Sequence, residues 1–328
     1  MLTFWSEIEE GFHPHVRSSS PLMINTKDFR ENYHIPLITV TLYVIFIAYG
    51  HKWMKNRQPF QLRHTLAAWN FFLSFFSAIG AYRTVPTLIS KLFNYSFRRS
   101  LCTAAALDWG AGPCGLWVQL FIVSKFAELA DTAFIVLRKR KLLFLHWFHH
   151  WSVLLYCWSA YATEAPHALY FVAMNYSVHT IMYFYYALMA AHIKPFWIPP
   201  EIVTAAQIAQ MIVGVVVQLA ALRERFLRSP DCVLADATNI TFGCLMYAMY
   251  LALFIKFALD RYLFQKFPRG KLLQIVSGHE KSASVRTAFP IFFFFVDCLD
   301  WIIRKYKSTR DTTSKIITKV TSVSKLDA

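Results

Sequence analysis

The chain has 328 residues, 56% of them hydrophobic, 17% aromatic and 16% charged, with a mean hydropathy of +0.36. Soluble domains carry roughly 25% charge, so this composition excludes an ordinary water-soluble core. It points to an all-α integral membrane protein, one helical bundle rather than several domains. The formal net charge of +15 does not imply nucleic acid: the basic residues lie mainly between and after apolar stretches, and no nucleic-acid-binding module accompanies them.

Residues 1–32 are polar, with Glu7, Glu9 and Glu10, and lack the apolar segment of a cleavable signal peptide. The first spanning helix is therefore expected to serve as the insertion signal. Apolar stretches follow at 33–50, 66–82, 116–137, 143–162, 167–191, 202–222 and 238–263. Each predicts a spanning helix of about 20 residues, the second being short. Seven transmembrane helices place the termini on opposite sides. Lys52, Lys55, Arg57 and Arg63 in the first loop, Arg138 to Lys141 in the third, and the basic tail share one side. The positive-inside rule makes that side cytoplasmic and the N-terminus lumenal. The opposing loops carry Arg83, Lys91, Arg98, Arg99, Arg223, Arg225 and Arg228, so the asymmetry is modest. The bundle thus covers 33–265, after a polar lumenal segment at 1–32 and before a basic cytoplasmic tail at 266–328. Within that tail, 289–303 is apolar but interrupted by Asp297 and Asp300, and an interfacial helix is expected there.

Cys102, Cys114 and Cys232 fall in the non-cytoplasmic loops of this scheme, where an oxidising lumen permits a disulfide. Pairing Cys102 with Cys232 would tie two such loops together; three free thiols are the alternative. Asn94, Asn175 and Asn239 head glycosylation sequons, of which only Asn94 has a comfortable lumenal place.

The spans carry polar residues, which are expensive at membrane depth and so mark function by default. In the third, Lys125, Glu128, Asp131 and Thr132 share an arc of about 120°. A buried ion-pair set that fixes helix packing is the bland alternative. The fourth begins His146-Trp147-Phe148-His149-His150, with three imidazoles at i, i+3 and i+4 on one helix face. In the fifth, Asn175, His179, Met182 and Tyr186 form one stripe. The sixth adds Thr204, Gln207 and Gln210, which could equally be interhelical glue. Four polar stripes on successive helices imply one buried chamber. Iron fails on ligand number, because one histidine box, His179 and the more remote His167 fall short of the eight or so histidines of membrane di-iron enzymes. A zinc site completed by Glu128 or Asp131 stays open. Imidazoles without a metal suit nucleophilic acyl transfer and proton movement.

The ordered set Lys125-x-x-Glu128-Leu129-x-Asp131-Thr132, His146-x-x-His149-His150, Asn175-x-x-x-His179-x-x-Met182-Tyr183-x-Tyr185-Tyr186 and Thr204-x-x-Gln207-x-x-Gln210 resembles the ELO family of very-long-chain fatty acid elongases, the condensing 3-ketoacyl-CoA synthases. The resemblance covers roughly residues 33–265. It implies a seven-helix protein of the endoplasmic reticulum membrane in which six helices enclose a narrow tunnel. The implied reaction joins malonyl-CoA to an acyl-CoA, with release of CO2 and CoA and no bound cofactor. By position, His149 would be the nucleophile, His179 its partner, His146 and His150 its tuning groups, and Asn175 and Gln207 polar supports. Lys125, Glu128 and Asp131 would shape the electrostatics. Lys139, Arg140, Lys141 and Arg261 are candidates for the CoA phosphates. Family precedent also supports the Cys102–Cys232 disulfide. Trp147 and Met174-Asn175-Tyr176 are similar to elongases of saturated and monounsaturated chains. The resemblance implies as partners the lipid bilayer and the ketoacyl reductase, hydroxyacyl dehydratase and enoyl reductase of the elongation cycle, and leaves a homodimer open. The ending Ser324-Lys325-Leu326-Asp327-Ala328 departs from the family's usual dilysine-type signal. A metal-dependent membrane oxidoreductase or hydrolase and a seven-helix transporter are the competing readings.

Overall fold

The computed structural model describes residues 26–110, 112–227, 232 and 236–263. The expected tail from 266, its 289–303 segment and most of the polar N-terminal segment lie outside them. Among the described residues the fold is all-helical. In chain order the helices are α1 (Thr26–Glu31), α2 (His34–Met54), α3 (Arg63–Asn94), α4 (Phe97–Cys102), α5 (Gly112–Glu128), α6 (Ala130–Leu137), α7 (Phe144–Ala162), α8 (Ala168–Ala190), α9 (Pro200–Leu227) and α10 (Ala237–Ala258). A 3-10 turn, Ala105–Leu107, precedes α5. Two compact units are distinguished, Met1–Ala258, which holds the bundle, and Leu259–Ala328, of which a π-helical turn, Leu259–Leu263, is described.

Helix occupies all seven apolar stretches. Among the described residues four helices are long and apolar enough to cross a membrane: His34–Met54, Arg63–Asn94, Pro200–Leu227 and Ala237–Tyr262. Their lengths fit the roughly 30 Å hydrocarbon layer at 1.5 Å per residue. The chain is a multi-pass membrane protein. Its outward faces agree: Leu37, Ile38, Leu42 and Val44 on α2, and Phe71, Phe72 and Phe75 on α3, are exposed in the isolated chain, as lipid-facing residues should be.

Five expectations are corrected. The second span is the longest helix, because α3 continues through Arg83 and Pro86 to Asn94. Lys91, expected in a loop, is buried on it and paired with Asp108, so its charge ends no helix. The third span is two helices, interrupted at Leu129, where the amides of Leu129 and Thr132 bond three residues back, to Phe126 and Leu129. Cys114 lies in the first turn of α5, buried, rather than in a loop. Arg223 and Arg225 likewise ride on α9.

Close helix approaches set the bundle. A Cβ at Gly80 of α3 would meet the Tyr176 ring of α8 at 2.5 Å, and one at Gly214 of α9 would meet Tyr247 of α10 at 2.3 Å. Small residues at membrane helix contacts allow such approach. At one end, Cys102 is disulfide-bonded to Cys232 and Arg98 of α4 donates to Glu224 of α9 at 2.7 Å. At the same end Trp109 donates to the Ala165 carbonyl at 3.3 Å and α1 is latched to α7 by Arg30 to Ala162 O (2.9 Å) and Trp158 to Phe29 O (2.8 Å). At the other end Arg63 caps α8 through the carbonyls of Ala190 and Ala191, each at 3.1 Å. The bundle is thus an antiparallel set with a disulfide end and a histidine end.

Candidate active site

A cavity of about 580 Å³ lies at the histidine end, walled by α3, α6, α7, α8, α9 and α10. Three of its four histidines come from α7, which follows the extended N-cap residue Leu143. The i, i+3, i+4 spacing then turns His146, His149 and His150 to one side and Phe144 and Trp147 to another. The rings of His146 and His150 are 4.4 Å apart and those of His149 and His150 5.5 Å apart. All three line the cavity. His149 is half-buried, with its ring 4.8 Å from that of Tyr250 on α10. The Tyr250 hydroxyl donates to the His149 carbonyl at 3.3 Å and shares a 2.7 Å bond with Ser152. Among the described residues no protein group hydrogen-bonds the His149 ring, so its nitrogens are available to a ligand. His150 Nδ1 is also unpartnered and buried.

The stripe on α8 behaves as its spacing predicts: Asn175, His179, Met182 and Tyr186 all reach the cavity wall. Behind it stands an ion pair. Lys125 Nζ donates to Glu128 Oε1 at 2.6 Å and to Asn175 Oδ1 at 3.0 Å. That second bond fixes the Asn175 amide, whose Nδ2 then donates to His179 Nε2 at 3.1 Å. His179 therefore carries its proton on Nδ1, which faces Glu128 Oε1 at 3.8 Å. Lys125 and Glu128 are buried and off the cavity wall, so they act through Asn175 and His179. Glu128 Oε2 has no protein partner.

Asp131 and Thr132, consecutive on α6, serve different neighbours. Asp131 accepts 2.7 Å bonds from Trp69 of α3 and Tyr183 of α8, and the Tyr183 ring stands edge-on to His179 at 5.2 Å. Thr132 Oγ1 is 3.0 Å from His146 Nε2 and 2.7 Å from the hydroxyl of Tyr43 on α2. On α9, Gln207 donates to Met182 Sδ at 3.1 Å, Gln210 lines the cavity, and the Thr204 hydroxyl donates to Pro200 O at 3.1 Å. His167 lies apart, against a small apolar void of about 20 Å³ that Tyr156 and Phe171 also line.

The basic candidates divide. Arg140 is on the cavity wall, and so is Arg138, which the sequence reading passed over. Lys139 turns away in a left-handed conformation, φ 54°, and its Nζ donates to the Lys55 and Arg57 carbonyls at 3.0 Å each. Lys141 is exposed. Arg261 belongs to the π-helical turn of the second unit. Sequence reasoning also missed Tyr43, Trp69 and Tyr250. Each is one of several aromatics in an apolar helix, and no periodicity marks which of these rings carries a functional hydroxyl or indole. Among the described residues no three His, Cys, Asp or Glu side chains gather in metal-binding geometry.

An all-helical, multi-pass membrane bundle with four histidines around one internal polar cavity is the class these observations define. The family model described as ELO, GNS1/SUR4 family, matches residues 29–269. The chain is 42% identical over 225 residues to very long chain fatty acid elongase 6 of Drosophila melanogaster, covering 68% of this chain and 70% of that one. It is 36% identical over 256 residues to fatty acid elongase 3 of Trypanosoma brucei brucei, covering 70% and 84%. Very long chain fatty acid elongase 3 of Homo sapiens is 34% identical over 258 residues, covering 78% and 93%. The chain belongs to the ELO family.

Proposed function

We propose that the protein is the condensing enzyme of very-long-chain fatty acid elongation, a 3-oxoacyl-CoA synthase that extends a long-chain acyl-CoA with malonyl-CoA. One observation carries the reading: His146, His149, His150 and His179 line a single cavity in which no described residue hydrogen-bonds the His149 ring. The His149 imidazole attacks the acyl thioester, forming an N–C bond as the C–S bond breaks. Its own N–H proton passes to the departing thiolate, leaving an acyl-imidazole and CoA. Malonyl-CoA then loses CO2, and the electron pair of that C–C bond becomes the enolate. The enolate attacks the acyl carbonyl, the C–N bond breaks, the departing imidazolate takes up one proton from water, and 3-ketoacyl-CoA leaves with His149 regenerated. His179, proton on Nδ1 and Nε2 held by Asn175, assists the malonyl half from across the chamber. Arg138 and Arg140 at the wall suit the anionic CoA moiety.

The wider reading follows the family. Seven spans cross the endoplasmic reticulum membrane, N-terminus lumenal and C-terminus cytoplasmic, and six of them form the substrate tunnel. No bound cofactor is required, saturated or monounsaturated acyl-CoA is the preferred substrate, and the ketoacyl reductase, hydroxyacyl dehydratase and enoyl reductase act on the product in turn. Trp147 and Met174-Asn175-Tyr176 are the residues that support the substrate choice. Purified protein given acyl-CoA and radiolabelled malonyl-CoA should yield labelled 3-ketoacyl-CoA; no product from folded, monodisperse protein overturns the assignment. With acyl-CoA alone, intact mass spectrometry should show one acyl adduct. An adduct that persists in His149→Ala removes that histidine as nucleophile.

A further inference from the structure

Helix α2 contributes no side chain to the cavity wall, yet it sends one hydroxyl to the histidine box. Tyr43 is buried at 5% exposure, while its neighbours Leu42, Val44 and Ile45 are exposed at 60%, 45% and 46%. A phenylalanine would fill the same contact. A hydroxyl at membrane depth is costly unless it is bonded, and this one is bonded to Thr132, which is fully buried and bonded in turn to His146 Nε2.

The direction of this chain of bonds can be worked out. Tyr43 and Thr132 each own a single hydroxyl proton. If His146 donated to Thr132 and Thr132 to Tyr43, the phenolic proton would be left buried with nothing to bond. If Tyr43 donates to Thr132 and Thr132 donates to His146, both hydroxyl protons are used. The second arrangement makes His146 Nε2 an acceptor and places the ring proton on Nδ1. It matches the arrangement found independently at His179, whose Nε2 accepts from Asn175.

We propose that Tyr43 is a positioning residue: acting through Thr132, it fixes the ring orientation and the Nδ1–H tautomer of His146. This rests on the histidine cluster being the condensing site. With its Nε2 lone pair occupied, His146 is a fixed wall for His150, 4.4 Å away, and the less buried of the two remaining rings of the box is His149. The outermost helix thereby sets the geometry of chemistry that it does not touch.

The test uses the purified full-length chain and its Tyr43→Phe, Thr132→Val, Thr132→Ser and Tyr43→Phe/Thr132→Val variants. Losing one such hydrogen bond should lower kcat about three- to tenfold in Tyr43→Phe, with KM for both substrates within about twofold. Thr132→Val should lose at least as much, and Thr132→Ser, which keeps the hydroxyl, should recover most of it. The double variant should be no worse than Thr132→Val alone, because the tyrosine acts only through the threonine. An unchanged kcat in Tyr43→Phe, or losses that multiply in the double variant, overturns the proposal. Should the wild-type chain make no condensation product, the condensing reading itself falls. The 15N histidine spectrum, assigned by difference against His146→Asn, still decides the relay. A His146 proton on Nε2, or a His146 signal unaltered in Tyr43→Phe, overturns it.

Discussion

The two ends of the bundle bury the same kinds of polar side chain and put them to opposite uses. At the disulfide end, Lys91 meets Asp108, the buried Glu224 accepts from the exposed Arg98 at 2.7 Å, and Ser100 meets the Tyr170 hydroxyl at 2.5 Å. Each group ends on a protein partner, and the bonds tie short segments to long helices. At the histidine end the bonds run in chains, Lys125–Asn175–His179 and Tyr43–Thr132–His146, that stop at rings facing about 580 Å³ of space. Burial and charge do not separate a tether from a reactive site. What separates them is the space at the end of the network: the rings at the histidine end face about 580 Å³, whereas at the other end even His167, whose ring nitrogens are unpartnered among the described residues, faces only about 20 Å³.

This contrast yields predictions that separate loss of rate from loss of fold. The largest effect should come from His149→Ala, with kcat for condensation down about 10⁴-fold, or roughly 5.5 kcal/mol in the barrier. Its thermal midpoint should move little, because the half-buried ring makes no protein hydrogen bond. Lys91→Met at the other end should do the reverse. Stranding the Asp108 carboxylate should cost about 3–5 kcal/mol of stability in detergent unfolding, with kcat of the surviving folded protein near the wild-type value. Cys102→Ser should act in the same sense and more weakly, about 2–4 kcal/mol, by freeing a loop that spans 130 residues of sequence. Gly214→Ala, whose Cβ would overlap the Tyr247 ring at 2.3 Å, should cost about 1–3 kcal/mol. A disulfide-end variant that kept its stability but lost its kcat would erase the distinction.

The helical part of the site was readable from the sequence because spacing and geometry are the same fact there. On an α-helix His146, His149 and His150 share a face, as do Asn175, His179, Met182 and Tyr186, and the cavity receives all seven. The stripe on α9 also reached the wall, through Gln207 and Gln210. Element ends were less legible. Helix α3 outruns its apolar stretch because Lys91 finds Asp108, and no local pattern announces a partner 17 residues away. The basic corner misled for a similar reason. Lys139 and Arg138 are alike as letters, but a left-handed residue turns one toward the Lys55 and Arg57 carbonyls while the other faces the cavity. Tyr43 and Trp69 were invisible because a single polar atom in an aromatic ring does not disturb an apolar run.

The interruption at Leu129 has a mechanical consequence. It leaves α6 as an eight-residue helix, Ala130–Leu137, short enough to shift as a body. Consecutive residues on a helix diverge by about 100°, so Asp131 and Thr132 pull on different walls: one holds Tyr183 beside His179, the other holds His146. A slight rotation of this one short rod would slacken both grips together. The His146 side and the His179 side of the chamber are therefore geared to a common shaft, and neither can be retuned alone by moving it.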